Sequence, residues 1–266
     1  MKPVRLAIVG ATGRMGRAVV RLAPAHGLIV VRAVAHDQTG LDAGAVAAGV
    51  PIGVLLEKTP SALASGGFDV VVDFSSPEVT TALAEVAIKT GAALVSGTTG
   101  LAGDVEAALS RASAHAAIFW EPNMSLGVHV LVDLVRRAAS QLGPDFDLEV
   151  TELHHHLKVD APSGTAVRLV EALREARAPS AVVYGRHGRP GARPAGEIAV
   201  HALRGGDVIG DHTVHFLGSG ERLELTHRAT DRDVFAHGAL RAAAFVAGKP
   251  AGRYGMSDLI AAARTP

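Results

Sequence analysis

The stretch VRLAIVGATGRMG, residues 4–16, decides the fold of this chain. An apolar run, Val4 to Val9, leads straight into glycines spaced G-x-x-G-x-x-G, and helical periodicity then continues to about Ala25. Glycine at such a turn lets a phosphate approach the backbone, and the N-terminus of the following helix offers N–H groups and a partial positive charge. The stretch therefore predicts a strand, a dinucleotide-binding turn and a helix. The alternative is an ordinary tight turn of an α/β protein.

Short runs rich in β-branched residues recur after this stretch and alternate with longer Ala-rich segments. This βαβα rhythm is typical of a parallel sheet covered by helices on both faces. One helix should begin at Pro77, capped by Ser76, and stop at Gly91, which leaves Asp73 at the end of a strand. The predicted strands of this part are Val4 to Val9, Leu28 to Val34, Phe68 to Phe74, Ala92 to Ser96 and Ala117 to Trp120.

The rhythm changes after Asn123. A helix of about four turns is expected from Ser125 to Gln141, and four apolar residues are assigned to its buried face: Leu126, Val130, Leu134 and Val135. Partial period-two alternation then indicates the strands of a mixed sheet with one face covered. These strands are Phe146 to Leu153, Glu197 to Leu203, Val208 to Phe216 and Arg222 to Arg228.

The chain is thus predicted to have an α/β fold with two domains. A Rossmann-type parallel-sheet domain that binds a dinucleotide should comprise residues 1–124 and 235–266, since the C-terminal part returns to helical composition. A smaller α+β domain with a mixed sheet should comprise residues 125–234. Within it, residues 185–196 are rich in Gly, Pro and Arg and are expected to form a mobile loop.

The composition favours a globular protein without nucleic-acid or membrane partners. Of 266 residues 48% are apolar, and 26 basic side chains balance 26 acidic ones, so the basic surface that nucleic acid requires is missing. The absence of cysteine excludes disulfides and thiolate metal sites and suits a reducing cytoplasm. The apolar run at Val4 leaves no room for a signal peptide, and no stretch reaches the roughly 18 apolar residues of a membrane helix. A cytoplasmic location is expected.

The end of the second predicted strand is where the ribose of a dinucleotide is usually recognised. His36 and Asp37 lie just beyond it. A carboxylate there accepts hydrogen bonds from the ribose hydroxyls of NAD and repels the extra phosphate of NADP, so Asp37 favours NAD. His36 is compatible with either cofactor, and Asp37 could equally be a solvated turn residue. Residues 97–100, Gly-Thr-Thr-Gly, end another strand on the same sheet edge and are expected to line the nicotinamide end.

The stretch ELHHHLKVDAPSGTA, residues 152–166, is the most informative part of the chain. His154 to His156 and Lys158 precede a helix that Ser163 should cap, and the first amides of that helix could bind a carboxylate. Histidine beside an ammonium group suits proton donation that accompanies hydride transfer. Two alternatives are a solvated strand end and a metal site. Adjacent residues of an extended segment point to opposite faces and chelate poorly, so no metal is expected.

These stretches resemble the 4-hydroxy-tetrahydrodipicolinate reductase family, also called dihydrodipicolinate reductase. The pattern H-H-x-x-K-x-D-A-P-S-G-T-A is highly specific for that family. The matching blocks are collinear across nearly the whole chain. They are residues 10–16, 73–78, 97–100, 122–125, 152–166 and 204–212.

The resemblance implies an enzyme of lysine and diaminopimelate biosynthesis that uses NADH, NADPH or both to reduce a small dicarboxylate, 4-hydroxy-tetrahydrodipicolinate, to tetrahydrodipicolinate. It implies that His154 and Lys158 form the acid pair and that domain 125–234 binds substrate and assembles into a homotetramer through its sheet. The implied substrate-binding residues are His155, Lys158, Gly164 and Thr165. Together with the strand-end pair, the cofactor-binding residues are Gly10, Ala11, Thr12, Gly13, Arg14, Met15, His36, Asp37, Gly97, Thr98, Thr99, Glu121, Pro122, Asn123 and Met124.

The chain departs from the family pattern at two places. Glu121 stands where a small residue is more usual, so its carboxylate either alters the orientation of the nicotinamide or turns outward. His36-Asp37 replaces the Glu-Arg or Asp-Arg pairs of some members, in which the arginine accepts the NADP phosphate. The choice between NADH and NADPH therefore stays open.

Two other functions are compatible with part of the sequence. Another NAD(P)-dependent dehydrogenase of a small amino or hydroxy dicarboxylic acid would share residues 1–120 without needing the 152–166 stretch. A non-catalytic dinucleotide sensor would keep the glycine turn and lose the acid pair. Because His154 and Lys158 are both present, the sequence favours the reductase.

Overall fold

A computed structural model describes residues 2–177 and 180–263 of the chain. Its contacts divide the chain into a first unit, Met1–Ser125 with Asp233–Pro266, and a second unit, Leu126–Arg232. None of the helices in the described part of the chain is both long and apolar enough to span a bilayer.

The helices and strands follow one another in this order. The first unit begins with β1 (Val4–Val9), α1 (Arg14–Leu22), β2 (Leu28–Val34), α2 (Ala43–Ala48), β3 (Leu56–Glu57), β4 (Val70–Asp73), α3 (Pro77–Thr90), β5 (Ala93–Ser96), α4 (Gly103–Ala112) and β6 (Ala117–Trp120). The second unit contains α5 (Leu126–Leu142), β7 (Asp147–His154), α6 (Gly164–Ala176), β8 (Val182–Tyr184), β9 (Ile198–Arg204), β10 (Gly210–Leu217) and β11 (Arg222–Ala229). The chain completes the first unit with α7 (Asp233–Val246), β12 (Gly252–Tyr254) and α8 (Met256–Ala262).

The sheet of the first unit is parallel throughout, and its strands lie in the order β12-β6-β5-β4-β1-β2-β3. Alternate residues of β1 enter opposite layers: Ala7 and Val9 pack with buried residues of α3 and α4, whereas Leu6 and Ile8 point to the other face. The helices α1 and α7 pack against each other in that other layer. This is the doubly wound arrangement expected from the sequence, and the predicted fold class is confirmed.

The order of the strands reverses between β1 and β4, which are neighbours in the sheet although their connections run in opposite directions. In doubly wound sheets ligands bind at this point, outside the carboxyl ends of the strands. In this protein the turn after β1 and the segment after β4 lie together at the point where the strand order reverses. The amide of Phe74 donates to the carbonyl of Val9 at 3.1 Å.

The second unit has a mixed five-stranded sheet in the order β11-β10-β7-β9-β8. β10 is antiparallel to both its neighbours, while β7, β9 and β8 run parallel. Buried side chains of β7 and β10, such as Val150, Val214 and Phe216, pack against α5 and α6. The side chains between them, such as Thr151, Thr213 and His215, lie on the opposite face and are half-buried. The mixed sheet with one face covered by helices matches the sequence prediction.

Two local predictions were wrong. Val130 and Leu134 of α5 are 37% and 46% exposed; Val135 is buried as expected, but the rest of the buried stripe runs through Val128 and Val132. Residues two apart on a helix lie on nearly opposite sides, so starting the stripe at Leu126 selected the outer face. Ser76 does occupy the N-cap position of α3, but its hydroxyl makes no capping bond. It hydrogen-bonds the carboxylate of Glu78 and lowers the pKa of that group.

The shortest elements are not predicted from the sequence. β3, β8 and β12 have two or three residues each, and α2 has six, which is too short for a periodic pattern to appear. The segment 185–196 contains no helix or strand. Two of its arginines, Arg186 and Arg193, form ion pairs with Glu149 on β7, so these side chains attach the segment to the sheet.

Candidate active site

The glycine turn packs too closely for side chains at two of its positions. Gly10 has φ +77°, in the left-handed region that favours glycine, and a Cβ there would lie 2.3 Å from the carbonyl oxygen of Phe74. A Cβ on Gly16 would lie 2.1 Å from the carbonyl oxygen of Gly10. Strand, turn and the first turn of α1 are therefore in direct backbone contact. The first N–H groups of α1 have no acceptor within the helix, so this cradle suits a phosphate group.

Asp37 lies beside the glycine turn. The amides of Gly10 and Ala11 donate to the carbonyl of Val34 at 3.0 and 3.1 Å, which holds the turn against the end of β2. Thr12 donates its hydroxyl proton to Asp37 at 2.5 Å. This hydrogen bond lowers the pKa of Asp37, and the neighbouring positive charges of His36 and Arg17 act in the same direction. Two predicted cofactor residues, Thr12 and Asp37, are thus brought together, with His36 exposed next to them.

The Gly-Thr-Thr segment after β5 presents its three residues differently. A Cβ on Gly97 would lie 2.2 Å from the ring of Phe74, so only glycine fits there. Thr98 is buried, with 5% of its surface exposed, and its carbonyl accepts a hydrogen bond of 3.0 Å from the indole of Trp120. Thr99 is exposed. Of the two threonines, Thr99 is the one whose side chain can reach a ligand.

Residues 121–124 make mainly internal contacts with their side chains. The carboxylate of Glu121 accepts a hydrogen bond of 3.0 Å from the amide of Met256, so it faces the N-terminus of α8. Met124 is buried in the core, and the side-chain oxygen of Asn123 accepts from the amide of Ser125 at 2.8 Å. The carboxylate of Glu121 was expected to lie near the nicotinamide or to turn outward; in the structure it instead makes this internal contact with α8. A cofactor would meet this segment chiefly through its backbone.

His154, at the end of β7, is held by a carboxylate. Its Nδ1 lies 2.5 Å from Oε2 of Glu152, a buried residue two positions earlier on the same face of the strand. Arg204, from the end of β9, donates to both oxygens of Glu152 at 2.8 Å. The amide of Ser163 donates to Oε1 at 3.1 Å. One carboxylate therefore joins three separate segments around the histidine.

Hydrogen bonds stabilise the negative charge of Glu152 in its buried position. Burial alone would raise the pKa of Glu152, but hydrogen bonds from His154, Arg204 and the amide of Ser163 outweigh it and lower the pKa to about 2. Glu152 is therefore an anion at neutral pH and can only accept hydrogen bonds. It follows that Nδ1 of His154 carries a proton and that Nε2 is the atom left for chemistry. A Cβ on residue 210 would lie 2.9 Å from Nε2, so Gly210 keeps space beside it.

A second histidine, His212 on β10, supports the same region. Its Nε2 lies 2.9 Å from the hydroxyl of Ser163, and its ring meets that of His154 edge-on with centroids 5.1 Å apart. Burial is the main reason why the pKa of His212 is lowered to about 4. The hydroxyl of Ser163 also accepts from the amide of Ala166 at 3.2 Å, which confirms the predicted cap of α6.

The loop after His154 gathers positive charge. His155 is half-buried, and its pKa is lowered by burial and then by the nearby cations, of which Arg232 has the largest effect. Lys158 forms an ion pair of 2.8 Å with Asp160, an exposed carboxylate. Gly164, the first residue of α6, has open space where a side chain would be. Basic side chains beside an uncrowded helix N-terminus form a suitable environment for a carboxylate.

Several residues of this region were not assigned a role from the sequence. The sequence does not assign Arg204, His212 or Arg232 to the site, and it gives Glu152 no function. The i, i+2 spacing of Glu152 and His154 on a predicted strand was a usable signal, because it places both side chains on one face. The other three come from distant parts of the chain. Only the strand pairing of β7 with β9 and β10 brings Arg204 and His212 near His154.

Comparisons with known proteins agree along the whole chain. The family models described as "Dihydrodipicolinate reductase, N-terminus" and "Dihydrodipicolinate reductase, C-terminus" match residues 4–124 and 127–260. A 4-hydroxy-tetrahydrodipicolinate reductase of Anaeromyxobacter sp. (strain Fw109-5) is 51% identical over 263 residues, covering 97% of both chains. That of Myxococcus xanthus (strain DK1622) is 48% identical over 269 residues and covers 98% of this chain and 99% of the relative.

Among solved structures, a dipicolinate-bound dihydrodipicolinate reductase from Paenisporosarcina sp. TG-14 shares the fold. Its TM-score with this chain is 0.75, and the alignment covers 95% of this chain and 97% of that one. Sequence identity is 22%, so this likeness supports the fold and not the details of the site.

Proposed function

The chain belongs to the dihydrodipicolinate reductase family, and from that premise we propose that it reduces 4-hydroxy-tetrahydrodipicolinate to tetrahydrodipicolinate with a hydride from NADH or NADPH. The reaction consumes one proton and releases water. The observation that carries the proposal is the environment of His154, a histidine fixed by an ionised carboxylate next to a lysine and a helix N-terminus. The product serves lysine and diaminopimelate biosynthesis, the pathway implied by the family.

A coupled assay tests this function. The aldol product of pyruvate and aspartate semialdehyde is supplied to the purified protein, and the absorbance of NADH or NADPH is followed. We expect oxidation that depends on the presence of both the aldol product and the protein. No oxidation with either cofactor would overturn the assignment.

We assign cofactor binding to the first unit. The backbone cradle formed by Gly10 and Gly16 suits the pyrophosphate of a dinucleotide, and Asp37, beside that turn, would accept from its ribose. When bound, the cofactor supplies the hydride. Asp37 favours NADH, while His36 and Arg14 are exposed cations or potential cations close to it in sequence, so use of both cofactors is expected.

His154 serves as the acid in this mechanism. Because Glu152 accepts from Nδ1, the proton that leaves the ring is the one on Nε2. Arg204 holds Glu152 with two hydrogen bonds, so the ring does not have to be reoriented when the substrate arrives. Water leaves the 4-hydroxy substrate first and creates a C=C bond conjugated with the imine; the hydride then adds to the carbon that carried the hydroxyl, and the proton adds to the neighbouring carbon that lost one with the water. Lys158 stabilises negative charge on the substrate while this happens.

The substrate carboxylate is held at the N-terminus of α6. The amides of Gly164 and Thr165 belong to the first turn after Ser163, where an anion is favoured by the helix dipole. Lys158 provides a positive charge, and His155, whose lowered pKa keeps the ring neutral, can donate a ring N–H. Lys158 is paired with Asp160 in the structure, so the substrate must share or replace that partner. The dipicolinate bound to the Paenisporosarcina enzyme supports a planar pyridine dicarboxylate as a competitive inhibitor here.

We further propose that the protein acts in the cytoplasm as a homotetramer. The face of the second sheet opposite α5 and α6 carries half-buried side chains such as Thr151, Thr213 and His215. None of the described helices of the second unit covers it, so a sheet from another subunit could do so. Light scattering should give a mass four times that of the 266-residue chain. A monomer would contradict the proposal.

A second candidate is another NAD(P)-dependent dehydrogenase of a small amino or hydroxy dicarboxylic acid. It would use the same cradle and helix N-terminus. The assay separates the two, since such an enzyme would oxidise the cofactor with its own acid and not with the aldol product. The sequence match over both units favours the reductase.

A further inference from the structure

A buried carboxylate in the first unit has no place in the mechanism above. Asp73, at the end of β4, has 0% of its surface exposed. No lysine, arginine or histidine of the described residues pairs with it. Burying a charge in this way is costly unless hydrogen bonds compensate. A carboxylate placed at the sheet edge where the strand order reverses therefore calls for an explanation.

Four hydroxyl groups surround this carboxylate; we call them the hydroxyl cage. Oδ2 of Asp73 accepts from Thr80 at 2.7 Å, from Ser96 at 2.8 Å and from Thr98 at 3.0 Å. Oδ1 accepts from Ser75. The cage connects the ends of β4 and β5 with the first turn of α3. Because a carboxylate only accepts, it orients all four hydroxyl protons toward itself.

The oriented hydroxyls in turn accept from the backbone. With its proton pointing at Asp73, Ser96 accepts from the amide of Thr98 at 3.3 Å, and Thr98 accepts from the amide of Ser75 at 3.2 Å. The carbonyl of Asp73 itself accepts from the amide of Gly97 at 2.9 Å. The backbone of the segment after β5 is thus fixed through Asp73.

Every polar group of Thr98 already has a partner within the protein. Its hydroxyl and amide belong to the cage, and its carbonyl accepts from Trp120. The next residue, Thr99, is exposed and takes no part in the cage. The two adjacent threonines therefore differ because Asp73 accepts a hydrogen bond from Thr98 and not from Thr99.

We propose that Asp73 is a positioning residue for the nicotinamide cofactor: through Ser96 and Thr98 it fixes the segment Gly97 to Thr99 so that Thr99 contacts the cofactor. This rests on the proposed function, which places the nicotinamide end at that segment. Asp73 does not touch the cofactor. It acts through the hydroxyl of Thr98, which is therefore the group whose removal should be felt in cofactor binding.

Two isosteric substitutions separate positioning from general stability. Thr98→Val and Thr80→Val each remove one hydroxyl from the same oxygen of Asp73, but only Thr98 belongs to the segment after β5. Trp120 is the single tryptophan of the chain and adjoins Thr98, so energy transfer from it to NADH provides a binding signal. The dissociation constant is taken from the saturation curve, and the melting temperature is measured in parallel.

We expect Thr98→Val to raise the dissociation constant of NADH about tenfold, the scale of one charge-assisted hydrogen bond. Thr98→Ser keeps the hydroxyl and should restore binding. Thr80→Val should lower the melting temperature about as much as Thr98→Val does, but it should change the dissociation constant of NADH less than about twofold.

Three results would overturn the proposal. If Thr98→Val binds NADH as tightly as wild type, the positioning role of Asp73 is overturned while the proposed function stays intact. Equal weakening in Thr98→Val and Thr80→Val, in step with equal loss of melting temperature, would show a merely structural role. A wild type that binds neither NADH nor NADPH would remove the proposed function as well.

Discussion

The two proposed binding regions are lined by different kinds of groups. The cofactor region of the first unit is built from backbone: glycines 10, 16 and 97 leave no room for a Cβ, and the side chains of Thr98 and Met124 are buried. The substrate region of the second unit is built from ionisable side chains, with His154, Glu152 and Arg204 joined by short hydrogen bonds. The first region should therefore respond to changes of shape and the second to changes of charge.

The largest expected effect is on the acid pair. His154→Ala and Lys158→Ala should each lower kcat by about 10² or more, the usual scale for a general acid, while the protein remains folded. His156→Ala is the matched control. Its ring is exposed and bonds the carbonyl of Gly206 at 2.8 Å, so kcat should change by less than about twofold. An unchanged kcat in His154→Ala would show that the proton comes from elsewhere.

A change of shape tests the cofactor region. Gly16→Ala places a Cβ 2.1 Å from the carbonyl oxygen of Gly10 and should raise KM for NADH about tenfold with little effect on KM for the dicarboxylate. Gly103→Ala, in the first turn of α4, is the control, because nothing lies within 4 Å of a Cβ there. If both variants keep the wild-type KM for NADH, the glycine turn is not the cradle.

Acid should destabilise the charged network. The pKa of His212 is lowered to about 4, so between its ordinary value near 6.5 and 4 the unfolded chain binds a proton that the folded protein does not. Stability is therefore lost as the pH falls, by about 1 kcal/mol from His212 between pH 7.5 and 5.5. The lowered pKa values of His26, His155 and His227 act in the same direction.

Urea unfolding at the two pH values checks this expectation, and His212→Gln should flatten the dependence. Glu152 adds a second window: with its pKa lowered to about 2, its contribution is complete above about 4.5 and is lost between 4.5 and 2. Equal stability of wild type at pH 7.5 and 5.5 would contradict the buried, neutral state of His212.

The smallest expected effect concerns the choice of cofactor. Asp37 should give a preference for NADH over NADPH of a few-fold in kcat/KM, because its charge repels the 2′-phosphate. Asp37→Asn should shift the ratio toward NADPH, whereas Asp104→Asn, an exposed change in the first turn of α4, should not. A wild-type preference for NADPH above about tenfold would show that Asp37 does not read the ribose.

The sequence was sufficient for the architecture of both units. β1, β2 and β6 have the predicted bounds because apolar strands followed by glycines or turns leave strong local signals. Val130 and Leu134 of α5 were wrongly assigned to its buried face because apolar residues occur on several sides of that helix, and only packing selects among them. The short strands β3, β8 and β12 form because a neighbouring strand is present, which no local pattern records.

For the candidate site, the sequence identified groups and the structure supplied their partners. The glycine turn and residues 152–166 were evident because their spacing is local. Arg204 and His212 were not, because their role depends on which strands pair. The capping contact of Glu121 with α8 joins residues 135 positions apart and could not be read from either segment.

The central claim is that residues 154–165 bind the substrate, and a crystal structure with pyridine-2,6-dicarboxylate tests it most directly. We expect one carboxylate within about 3 Å of the amides of Gly164 and Thr165, with Lys158 Nζ at hydrogen-bonding distance. Weaker binding in Lys158→Ala, measured in solution, should accompany that density. A mimic bound only at another place, with the α6 N-terminus vacant, would contradict the account.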